Sequence, residues 1–279
     1  MTGILLTIIA FLAYAVMSGF VKACSLAGLS AQEIMFIQNL LALVILLPWI
    51  LAQTKINLAP KNKFLIIIRS VVGLFTFYFF FLAVKMVPLV NAVLLQNTVP
   101  LFIPFLALVF FRKRITLRVL LSVIVGFVGV AMVLNPGHGF LRPGDLIALL
   151  AGFLSAVTTI VIGRLEEKGE DVSIVVFYFL LITVIVTGIW ALPSWQMPVG
   201  TIWLYLALAG VLYAVFQVLF VLALKFASAT KISPFIYFVV IFSGLIDWLV
   251  WKQTPGLLTV AGSVVVIAAA IFSTFGSDK

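Results

Sequence analysis

Asn39, Tyr78, Gln96, Asn97, Tyr213, Gln217 and Tyr237 can each donate and accept hydrogen bonds, and all of them interrupt stretches built otherwise from aliphatic and aromatic residues. Asp247 is a carboxylate in the same kind of setting. If those stretches lie in lipid, a polar side chain is tolerated where it faces the protein interior or a wet cavity, which makes each one a candidate for ligand contact. Amides set among phenols suit a zwitterion, a nucleobase or an amphipathic amine, and suit a bare phosphate poorly. Amides also simply join membrane helices, at about 0.6 to 2 kcal/mol per bond. Neighbours on a helix point about 100° apart, so one of Gln96 and Asn97, and one of Gln38 and Asn39, is expected to be structural. Tyrosines at helix ends anchor to headgroups, the plainer reading of Tyr178 and Tyr205. Thr158 and Thr159 can bond their own backbone and rank as supporting residues.

Asp247 admits two readings. It closely precedes Lys252, with Trp248 and Trp251 alongside, and so suits an ion pair with Lys252 or Lys85 at a helix end. Facing a cavity, it would instead bind a substrate ammonium or carry a coupling proton. Pro100, Pro104 and Pro234 remove backbone donors within apolar runs and are candidates for a hinge or gate.

Composition sets the solvent for these residues. Of 279 residues, 65% are hydrophobic and 9% charged, with a mean hydropathy of +1.35; a soluble domain has about 45–50% apolar and about 25% charged residues. One cysteine, Cys24, and one histidine, His138, leave no disulfide and no four-ligand zinc site. No GxxxxGK loop and no G-x-S-x-G elbow is present, so neither ATP drive nor hydrolase chemistry is expected, and no cofactor. A membrane enzyme would have to work with Asp247, Glu33 or Cys24 alone. The net charge of +9 sits between apolar runs, where it orients the chain in a membrane; no basic stretch interleaved with aromatics points to nucleic acid. Glu166, Glu167, Lys168, Glu170 and Asp171 read as a solvated turn.

Ten apolar runs are long enough to cross a bilayer, centred near Leu12, Leu41, Thr76, Leu101, Ile124, Leu154, Thr183, Val211, Val240 and Val265. With a cytoplasmic N-terminus, thirteen Lys and Arg fall in inside segments, Arg69 among them, against Lys22, Lys85, Arg142 and Lys252 outside. That asymmetry predicts both termini in the cytoplasm. The halves repeat weakly: Phe11 to Lys22 aligns with Phe153 to Arg164, and Pro100 to Leu134 with Phe238 to Phe272. A repeat of five crossings returns upside down, so the expected fold is an all-α integral membrane protein of ten transmembrane helices. These form two inverted five-helix repeats, residues 1–137 and 138–279, around a central cavity.

The segment LLQNTVPLFIPFLALVFFRKRIT followed by LRVLLSVIVGFVGVAMVL, with Pro100, Thr116, Gly126 and Gly129 at the family's spacing, resembles the EamA-type permeases of the drug/metabolite transporter superfamily. Lys113 and Lys252 stand where that family usually has Glu, and Phe238 where the second half would have proline. The resemblance implies a basket of helices 1–4 and 6–9 around a central cavity, flanked by helices 5 and 10, with alternating access for small metabolites. The expected activity is a permease of the bacterial inner membrane, as a monomer or homodimer. Its cargo is an amino acid or similar zwitterion, exported. The alternatives are an exchanger or uptake carrier for a nucleoside-like or cationic metabolite such as S-adenosylmethionine or a nucleotide sugar, or a channel.

Overall fold

A computed structural model describes residues 2–54, 58–111, 117–134, 142–226 and 235–276. Among them there is no strand. The helices are α1 (Thr2–Leu26), α2 (Ala31–Thr54), α3 (Lys63–Met86), α4 (Leu89–Gln96), α5 (Val99–Phe111), α6 (Leu117–Leu134), α7 (Pro143–Glu167), α8 (Val172–Ala191), α9 (Ile202–Phe226), α10 (Phe238–Trp251) and α11 (Leu257–Gly276). Short polar motifs start several of them. The Ser30 backbone N–H and hydroxyl both donate to Glu33 at 2.7 Å, and the Glu33 N–H returns a bond to Ser30, a capping box that opens α2. Asn62 accepts from the Leu65 N–H at the head of α3, and Asp171 from the Ser173 N–H at the head of α8. Pro143 opens α7, where its missing donor costs nothing.

Seven helical stretches are long and apolar enough to cross a membrane, and α6, α10 and α11 add shorter apolar helices. All ten apolar runs therefore fall on helix. The fourth differs from expectation, since α4 and α5 share one span and the helix breaks between them. Large apolar side chains such as Leu5, Val44, Ile67, Leu121, Ile189 and Trp248 face outward around the bundle, as a lipid solvent requires.

The core runs along the bundle axis and is closed by long-range helix pairs. α1 packs on α9 as α7 packs on α3; α2 packs on α9 as α8 packs on α3; and α1 meets α10 as α7 meets α4 and α5. α2 with α8, α4 with α10, and α6 with α11 complete the set. Exchanging α1 with α7, α2 with α8, α3 with α9, α4 and α5 with α10, and α6 with α11 returns these same pairs. The α6–α11 crossing brings two backbones together glycine to glycine: a Cβ on Gly262 would lie 2.7 Å from the Gly129 carbonyl oxygen, and one on Gly129 would lie 2.9 Å from that of Gly262. Glycine at both positions lets the axes close. Gly126 packs against Leu101 of α5.

Candidate functional site

The break between α4 and α5 organises the interior. The Asn97 N–H donates to the Val93 and Leu94 carbonyls, and the Thr98 N–H and hydroxyl both donate to Leu95 at 3.3 and 2.6 Å. Two residues later Pro100 has no donor to give, so the helix restarts at Val99. Gly152 of α7 packs directly on this point, where a Cβ would lie 2.4 Å from the Leu95 carbonyl oxygen. The neighbouring amides then separate in role. The Tyr14 hydroxyl of α1 donates to Gln96 Oε1 at 2.8 Å, while Asn97 Nδ2 turns back to Val93 of its own helix. The Asn97 carbonyl accepts from the Tyr237 hydroxyl at 3.4 Å. Tyr237 is a turn residue that caps the head of α10, so the start of α10 meets the break.

From this junction a row of rings crosses the bundle. Tyr14 lies 5.0 Å from Phe216 and Phe216 6.3 Å from Tyr213, centroid to centroid. Tyr213 meets Phe77 at 5.6 Å and Phe77 meets Phe179 at 5.9 Å. At the end of the row the Arg69 guanidinium carbon sits 3.9 Å from the Phe179 ring centroid. Arg69 is buried, within electrostatic reach of the Tyr213 hydroxyl, and its Nε and Nη1 have no hydrogen-bond partner among the described residues. Arg69, counted from the sequence among the segments between spans, thus lies within α3 and inside the bundle. Its Nη1 lies 3.2 Å from where a Cβ on Gly73 would be, so the side chain runs one turn deeper along α3. A cation over a desolvated ring gains about 2 kcal/mol. Taking an ion out of water costs several.

A separate polar cluster lies at the end of the bundle remote from the N-terminus of α1. Asp247 is fully buried there, with Oδ1 2.8 Å from Lys22 Nζ and Oδ2 accepting from the Val90 N–H at 2.8 Å. Lys22 also lies 4.5 Å from the Trp251 ring centroid. The ion pair expected with Lys252 or Lys85 is thus replaced by one with Lys22. Lys22 belongs to the interior rather than the headgroups, and the pair ties α1, α4 and α10 together. Beside it Asn91 donates to Asp145 at 3.4 Å. At the opposite end, Glu170 is buried and accepts from the Lys61 and Asn62 N–H groups, so the acidic turn is only partly solvated.

The expected site residues therefore divide. Gln96, Asn97, Tyr213 and Tyr237 come together around the break and the ring row. Tyr78 instead stacks 4.6 Å from Trp190, a residue 39% exposed, on the α3–α8 rim. Gln217 is half-buried, one turn after Tyr213 on α9. Asn39 donates to Met35 of its own helix; its neighbour Gln38 is buried with neither amide atom hydrogen-bonded among the described residues. Pro100 lies in the first turn of α5 and Pro104 within it; Pro234 lies outside the described residues. Two residues of this interior, Tyr14 and Arg69, were not singled out in the sequence as site residues. Gln38 was weighed there as one half of an adjacent amide pair. Among the described residues no group of His, Cys, Asp and Glu could hold a metal.

Comparison with known proteins follows the same outline. A family model, the EamA-like transporter family, matches residues 1–135 and again 142–275. The pseudopaline exporter CntI of Pseudomonas aeruginosa is 27% identical over 97% of this chain and 95% of its own length. A riboflavin transporter of Vibrio cholerae is 27% identical over 99% of this chain and 94% of its own. An S-adenosylmethionine uptake transporter of Rickettsia bellii is 24% identical over 90% and 86%. A crystal structure at 16% identity superposes with a TM-score of 0.68 over 99% of this chain and 97% of that one, a likeness of fold.

Proposed function

Because the chain belongs to the EamA-like transporter family, a multi-pass membrane protein among transporters, we propose that it carries a small zwitterionic metabolite, an amino acid or close relative, by alternating access. The observation that carries this reading is the meeting of the α4–α5 break with the head of α10 through Asn97 and Tyr237, with the Tyr14–Gln96 bond and the ring row beside it. Interrupted helices at a repeat interface free backbone groups for a ligand near the midplane. Two matches of one family model, and helix pairs that survive exchange of the halves, support an inverted repeat with a boundary near residue 137. Pro100 and Pro104 then lie where a hinge is useful.

The Lys22–Asp247 pair supports closure of the end remote from the N-terminus. At the other end, residues 160–163 of α7 and 216–222 of α9 are half-buried on every face, as expected beside an open cleft. With the N-terminus in the cytoplasm of a bacterial cell, this is a conformation closed to the outside and open to the inside, suited to loading an exporter. A carboxylate already neutralised by Lys22 is a poor anchor for a cationic cargo. Larger ring-bearing cargo stays as the second reading, because relatives bear the names of riboflavin and S-adenosylmethionine transporters.

The test is counterflow in proteoliposomes preloaded with unlabelled L-phenylalanine, L-leucine, riboflavin or S-adenosylmethionine. Transient accumulation of labelled L-phenylalanine or L-leucine is the expected result. Accumulation confined to riboflavin or S-adenosylmethionine moves the cargo to the second reading, and ion conductance without counterflow makes the protein a channel.

A further inference from the structure

We propose that Arg69 binds the carboxylate of the cargo, whose apolar body lies along the rings of Phe179, Phe77 and Tyr213; the proposal rests on the transport reading above. Three observations converge on it. Arg69 is buried with Nε and Nη1 unpartnered among the described residues, so its cation lacks the counter-charge that buried ions are normally given. Its side chain runs over Gly73 toward the middle of α3, away from the nearer headgroups, and Gly73 leaves room for this: a Cβ there would lie 3.0 Å from the Phe179 ring and 3.2 Å from Nη1. Its guanidinium rests on Phe179, the last ring of the row.

The chemistry favours a carboxylate over a phosphate. A planar guanidinium matches two carboxylate oxygens with parallel N–H donors. A phosphate dianion would call for a second cation, and the other buried cation among the described residues, Lys22, is already paired at the remote end. The rings supply the remaining selectivity, since they offer stacking and no competing charge. An amino acid with an aromatic or bulky aliphatic side chain meets both demands.

Thermal unfolding of the detergent-purified protein gives a test that needs no knowledge of the native cargo. Phenylacetate and L-phenylalanine are compared with phenethylamine and L-phenylalaninamide, which keep the ring and lack the carboxylate. The expected result is a rise in Tm with the two carboxylates only, abolished in Arg69→Met and partly restored in Arg69→Lys. Without ligand, Arg69→Met should melt about 2–4 °C above the wild type, because an unpaired buried cation has been exchanged for an apolar side chain that packs on Phe179. Equal shifts with acids and amides, no shift with either acid, or a carboxylate response that persists in Arg69→Met would each overturn the proposal. So would a lower Tm for ligand-free Arg69→Met, which would mark Arg69 as structural. Counterflow separates this from the parent reading. Carboxylate binding without counterflow defeats transport and leaves Arg69 as a binding residue. Counterflow that is unchanged in Arg69→Met defeats the carboxylate site and leaves transport standing.

Discussion

Lys22 of α1 and Arg164 of α7 hold the same place in the two aligned segments, yet they live in different surroundings. Lys22 pairs with Asp247 across the bundle, with side chains 4% and 1% exposed. Arg164 pairs with Glu167 three residues along its own helix, with side chains 45% and 66% exposed. The helices differ in the same sense: 56% of the most apolar window of α1 is buried, against 28% for α7. α1 also packs on α2, α3 and α4, whereas among the described residues the matching contacts of α7 with α8, α9 and α10 are not among the close pairs. Two aligned segments of similar sequence thus end in a buried ion pair at one end of the molecule and a solvated one at the other. In an alternating-access carrier these environments are expected to exchange when the cargo crosses.

The largest effect should come from breaking the closed end. Asp247→Asn leaves the Lys22 ammonium buried without its counter-charge, at a cost of about 3–5 kcal/mol. A clear fall in Tm is expected, together with loss of counterflow. The double variant Lys22→Met with Asp247→Leu should recover most of the stability, since an apolar pair replaces the ions, and still fail to transport. Recovery of both would reduce the pair to a structural tie.

Two glycines of α7 sharpen the contrast within one helix. Gly152→Ala sets a methyl against the Leu95 carbonyl at the α4–α5 break and should destabilise by about 1–3 kcal/mol. Gly163→Ala meets nothing within 4 Å and should be neutral, or stabilising by up to about 1 kcal/mol through helix propensity. Thermal unfolding of the pair checks this. Tyr14→Phe leaves the buried Gln96 oxygen without the donor it has now, and a loss of about 1–2 kcal/mol is expected in the same measurement. Glu167→Gln, at the solvated Arg164 pair, should change stability by less than about 1 kcal/mol.

Much of the fold could be read in the sequence, because lipid imposes a run length and Pro or Gly marks most joins. The break before α5 was half visible through Pro100. The turn at Tyr237 was not, since Phe238 stands where a proline would have announced it. The partner of Asp247 could not be read because Lys22 lies 225 residues away, and only helix packing chooses between it and the nearer Lys252 and Lys85. Arg69 was misread for a different reason. Its position near the start of α3 was evident, but the direction of its side chain depends on the space over Gly73 and the ring of Phe179, which sequence spacing does not reveal. The tyrosines and amides were legible as a set, and their division into interior and rim residues followed only from the neighbours that the fold supplies.

The most direct test of the central claim is hydrogen exchange followed by mass spectrometry on wild-type protein and Asp247→Asn in the same detergent. If closure at one end and openness at the other are two sides of one movement, the substitution will speed exchange in residues 19–26, 88–92 and 244–251 and slow it in residues 157–167 and 216–222. Faster exchange at both ends, or a change confined to the neighbourhood of residue 247, would contradict that claim and leave the ion pair as a local brace.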